Sequence, residues 1–105
     1  MSWIYLILAG IFEIGWPIGL KLSQTYNKLF LGILIAVISM TLSWGLLWLA
    51  QKEIPIGTAY AVWTGIGAVG TFLVGVMFFN DPTSLLRYFG IILIISGVVV
   101  LKLAH

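Results

Sequence analysis

Leu29-Phe30-Leu31-Gly32-Ile33-Leu34-Ile35-Ala36-Val37-Ile38-Ser39-Met40-Thr41-Leu42-Ser43-Trp44-Gly45-Leu46-Leu47-Trp48-Leu49-Ala50 carries no charge and no proline. A helix that crosses the hydrocarbon core of a bilayer needs about 20 predominantly apolar residues, and this run supplies them. Lys28 stops it on one side; Gln51-Lys52-Glu53 and Pro55 stop it on the other. The same grammar holds outward in both directions. Apolar segments at about 3–20, 56–79 and 88–104 alternate with Lys21 to Lys28 and with Asn80-Asp81-Pro82-Thr83-Ser84. The reading is an all-α integral membrane chain, a single four-helix transmembrane domain over 1–105. The last segment is the shortest in apolar length, ending at Leu101, and Lys102 snorkels to complete it.

Composition agrees. Of 105 residues 62% are hydrophobic and 8% charged, and the mean hydropathy is +1.19. Soluble domains run at about 45–50% apolar and about 25% charged, so a soluble monomer, a disordered chain and a nucleic-acid-binding domain are excluded. No cysteine and one terminal histidine give no basis for a metal site or disulfide framework, and no cofactor is expected. Loops this short make sequential helices antiparallel neighbours. Trp3, Tyr5, Tyr26, Trp48 and Tyr88 fall near segment ends, where amphipathic rings favour the interface. A cleaved signal peptide is a poor account of the first segment, which lacks a basic start and carries Glu13.

Seven of the eight charges stand at loops or helix ends; Glu13 stands near the middle of the first span. A carboxylate at that depth is a functional-site hypothesis by default. The competing reading is a protonated glutamate that acts as packing glue between helices. No other span offers a basic partner, so an ionised Glu13 must draw its counter-charge from outside, as a proton or a cationic ligand. Gly10 and Trp16 share its helix face. Pro17, four residues on, has no N–H for the Glu13 carbonyl; a packing kink is an equal account of it. In the third segment Tyr60, Trp63, Thr64 and Gly67 follow helical spacing and offer a phenol, an indole and a hydroxyl, against the alternative of an interfacial aromatic belt. Gly65-Ile66-Gly67 reads as a hinge or as a close-packing stretch. Ser39 and Ser43 form a small polar stripe on the second segment. Gly90 and Gly97 fall on one side of the fourth, as a seam between two copies requires.

Two runs carry a family resemblance. Gly10-Ile11-Phe12-Glu13-Ile14-Gly15-Trp16, followed by Pro55-Ile56-Gly57-Thr58-Ala59-Tyr60-Ala61-Val62-Trp63-Thr64-Gly65-Ile66-Gly67, resembles the small multidrug resistance (SMR) family of four-helix bacterial exporters over essentially the whole chain. Trp16, Thr64 and the Leu101-Lys102 ending are similar to its guanidinium-exporter subtype. The resemblance implies a multi-pass protein of the bacterial inner membrane, a transporter and no enzyme. It implies an antiparallel, dual-topology homodimer that exchanges protons for a small organic cation by alternating access. Glu13 would bind substrate and proton. Gly10, Trp16, Ser43, Tyr60 and Trp63 would line or orient the site. Pro17 departs from the family pattern, where a small non-proline residue is usual. Quaternary ammonium export within the family and a non-transporting membrane subunit are the alternatives. Lys21, Lys28 and Arg87 on one side against Lys52 and Lys102 on the other give almost no orientation bias, which suits insertion both ways.

Overall fold

A computed structural model describes residues 1–25 and 28–104. Tyr26 and His105, two positions named above, lie outside the described residues. The described residues form four helices: α1 (Ser2–Thr25), α2 (Leu29–Ala50), α3 (Ile56–Phe78) and α4 (Leu85–Ala104). At 24, 22, 23 and 20 residues and about 1.5 Å rise per residue, each is long and apolar enough to span a bilayer.

The α1–α2 crossing is built from small residues. A Cβ on Gly19 would lie 2.6 Å from the Gly32 carbonyl oxygen and 2.8 Å from the Ala36 nitrogen. A Cβ on Gly15 would collide with the Ser39 hydroxyl. Backbone approach of this kind is how helices associate where lipid supplies no hydrophobic drive. The opposite side of α1 meets α3 through Gly10, whose missing Cβ leaves room for Ile66. Glycines on both sides therefore place α1 in the middle, while α2 and α3, though consecutive, barely touch. The expectation that every sequential pair packs as neighbours is corrected at this pair. Leu6, Ala50, Ile54, Ala59 and Val62 are the buried cluster that ties the three together at one end. There Ser2 donates a hydrogen bond to Glu53 in the α2–α3 connection.

α4 begins three residues before the expected Tyr88. The Ser84 hydroxyl accepts the Arg87 N–H at 3.2 Å, an N-cap that satisfies one orphan donor. α4 packs mainly on α3 and has no buried residue. Its contact runs through Gly65, where a Cβ would lie 2.8 Å from Val98 Cγ2. Lys102 Nζ sits 4.9 Å from the Trp3 ring centroid, so its charge is held over an aromatic face. The Cα extents of 43 × 34 × 16 Å make the chain a thin slab.

Candidate functional site

Glu13 lies between α1 and α3. A cavity of about 250 Å³ beside it is lined by Glu13, Trp16 and Pro17 from α1 and by Thr64, Gly67, Ala68 and Thr71 from α3. Gly67 makes the carboxylate fit, because a Cβ there would lie 2.6 Å from Glu13 Cγ. Oε1 of Glu13 is buried and accepts no hydrogen bond among the described residues. A buried polar atom without a partner is costly, and an ionised carboxylate more so. A proton or a cation with N–H donors would relieve that cost. No group of acidic, histidine or cysteine side chains capable of holding a metal is found among the described residues.

The aromatic half of the constellation stands apart from this cavity. Trp63 Nε1 donates to Ser43 Oγ at 2.8 Å, and Ser43 Oγ donates to the Ala9 carbonyl at 2.7 Å. Ser43 is fully buried, so one hydroxyl joins α1, α2 and α3 and fixes the indole's direction. The Tyr60 ring lies 5.5 Å from that of Trp63 and tilted 55° to it, with more than half of Tyr60 exposed. Within one chain Glu13, Trp16, Thr64 and Gly67 are brought together, while Tyr60 and Trp63 of α3 form a second group with Ser43 of α2. Gly10 faces Ile66 and not the carboxylate; the space beside Glu13 belongs to Gly67. Gly65 and Gly67 are both packing contacts in a continuous helix. Gly90 and Gly97 have nothing within 4 Å of an added Cβ.

Thr71 was missed at the level of sequence. The stripe Tyr60, Thr64, Gly67 continues at the same helical spacing to Thr71 and Gly75, and one further turn would have found it.

The sequence profile of the family described as Small Multidrug Resistance protein matches residues 1–94. Proteins named Guanidinium exporter align along nearly the full length of the chain. That of Yersinia pestis is 47% identical over 104 residues, covering 99% of both chains. That of Proteus vulgaris is 44% identical over 104 residues, again 99% of both. That of Escherichia coli strain K12 is 42% identical over 104 residues, 99% of this chain and 98% of the relative. A lone intramembrane carboxylate, four spanning helices and this profile agree, and the chain belongs to the Small Multidrug Resistance family of membrane transporters.

Proposed function

We propose that this protein exports guanidinium or substituted guanidinium cations in exchange for protons, as an antiparallel homodimer of dual topology in the bacterial inner membrane. The observation that carries the reading is Glu13, which lines a cavity with Trp16 and whose buried Oε1 has no hydrogen-bond partner among the described residues. The guanidinium exporters of similar sequence support the substrate class.

The physical steps follow from the residues. A planar guanidinium donates paired N–H bonds to a carboxylate and stacks on an indole, which a tetraalkylammonium cannot match. Trp16 supplies that face one helical turn from Glu13. Two Glu13 carboxylates facing each other in a low-dielectric chamber cannot both stay ionised at low cost, so they behave as one coupled site. Protons and cation then compete for the pair, and the proton gradient drives the cation out. Ser43 holds Trp63, and Trp63 with Tyr60 lines the side of the chamber that the second copy completes. Gly65 and Gly67 let α3 bend between the two access states.

The unpartnered fourth helix supports the second copy. Within one chain α4 has no buried residue. α4 leaves Leu86, Phe89, Leu93 and Val100 exposed beside the open Gly90–Gly97 side. The near-even split of cations between the two sides supports insertion in both directions.

The test is proton release from detergent-solubilised protein on addition of guanidinium, compared with tetramethylammonium. Release with guanidinium from wild type, and none from Glu13→Gln, supports the reading. Equal release from Glu13→Gln overturns it, and a stronger response to tetramethylammonium transfers it to the quaternary ammonium alternative.

A further inference from the structure

A second cavity, of about 180 Å³, adjoins the first. It is lined by Pro17, Ile18 and Lys21 of α1, by Thr71 and Gly75 of α3, and by Phe79 and Asp81 beyond α3. Pro17 and Thr71 line both cavities, so the two meet at that pair. Glu13, Pro17 and Lys21 follow one another at four-residue steps on α1. Thr64, Gly67, Thr71 and Gly75 do the same at helical spacing on α3. The cleft thus runs about 12 Å along the helix axis, from Glu13 to the level of Lys21.

Asp81 is built into the mouth of this cleft. Asn80 turns the chain with φ of 57°, a conformation that asparagine tolerates better than most residues. The Asp81 N–H then bonds the Gly75 carbonyl at 3.1 Å. The Asp81 carboxylate lies so close over Gly75 that any Cβ there would collide with it. Lys21 lines the same cavity, yet no ion pair between the two forms among the described residues. An exposed carboxylate seated over Gly75 and an exposed lysine on a flexible stem line one small space without an ion pair between them among the described residues.

We infer that Asp81 is an outer cation-binding station on the path to Glu13. An organic cation with N–H donors binds there first, in competition with the Lys21 ammonium, and passes the Pro17–Thr71 neck to the inner carboxylate. The inference rests on the reading of Glu13 as the cation site. Thr71 offers a hydroxyl acceptor where the two cavities meet.

Rates of guanidinium-evoked proton release, followed by stopped flow at two ionic strengths, test it. Charges steer encounter over a Debye length of about 30 Å at 0.01 M salt and about 3 Å at 1 M. Asp81→Asn, which keeps the shape and removes the charge, slows the bimolecular rate about three- to tenfold at low salt and not at high salt. Asp81→Glu keeps most of the wild-type rate, and Lys21→Gln raises it about two- to fivefold at low salt. Thr71→Val slows the response equally at both salts. An Asp81→Asn rate equal to wild type at low salt overturns the outer station alone. Wild-type protein that releases no protons with guanidinium overturns the Glu13 reading, and this inference with it.

Discussion

Replacing Gly67 by alanine separates the cost of folding from the cost of binding. The new methyl would lie 2.6 Å from Glu13 Cγ and 3.2 Å from Glu13 Cβ, where carbon atoms rest at about 3.5–4.0 Å. Glu13 must rotate about χ1 or α1 must back away from α3 by about 1 Å. Backing away is opposed by the neighbouring contacts of Gly10 on Ile66 and Gly70 on Ile14, which bind the same two helices. Inserting one methyl into a tight contact costs about 1–3 kcal/mol. If the carboxylate's position absorbs that cost, guanidinium affinity falls by about 5- to 150-fold, at 1.4 kcal/mol per decade. Helix propensity works in the other direction, because alanine is favoured over glycine by about 1 kcal/mol in a helix interior. The apparent Tm in detergent should therefore change little while affinity drops. Gly45→Ala is the control, since nothing lies within 4 Å of its added Cβ; it gains the propensity and leaves affinity alone. The assay is guanidinium titration of proton release together with a thermal melt for each variant. Wild-type affinity in Gly67→Ala would refute the claim that this glycine makes the space for Glu13.

Three further outcomes follow from other contacts. Ser43→Ala removes the acceptor of the Trp63 indole and the donor to Ala9, at a cost of about 1–3 kcal/mol for the buried group left unpaired; the apparent Tm should fall, and an unchanged Tm with unchanged tryptophan fluorescence contradicts the joint. An added Cβ at Gly97 meets nothing within 4 Å in its own chain, so the effect of Gly97→Leu should fall on association, a shift toward monomer of at least about tenfold, or 1.4 kcal/mol, by sizing or crosslinking in detergent. Unchanged dimer content counts against the seam. Pro17→Ala restores a backbone N–H at the turn of Glu13 and should narrow transport toward guanidinium over an alkyl-substituted guanidine; an identical ratio in the two proteins shows that Pro17 is packing only.

The spanning helices were legible because charge and hydropathy change abruptly at Lys28, Lys52 and Asp81, and no tertiary information is needed to see those breaks. Glu13 was legible for the same reason, as the charge that falls where the others do not. The start of α4 was not: hydropathy placed it at Tyr88, whereas the Ser84 hydroxyl caps the helix and it begins at Leu85. What periodicity cannot supply is the identity of the facing element. It grouped Tyr60, Trp63, Thr64 and Gly67 on one face, but not that Thr64 and Gly67 meet Glu13 while Trp63 turns to Ser43. It marked Gly10 and Gly67 as small, but not that Ile66 fills the space at one and Glu13 at the other. The central place of α1 depends on Gly15 and Gly19 meeting α2 while Gly10 meets α3, a property of three helices at once. The polar cleft from Glu13 to Asp81 needs the turn at Asn80, which composition alone reads only as a loop.

We propose that the paired Glu13 carboxylates exchange protons for a guanidinium-type cation. Proteoliposomes with a pH gradient, acidic inside, test it most directly when radiolabelled guanidinium uptake and luminal pH are followed together. Uptake accompanied by alkalinisation is expected in wild-type vesicles, and neither in vesicles carrying Glu13→Gln. Wild-type uptake without a matching proton flux, or coupled uptake by Glu13→Gln, would contradict it.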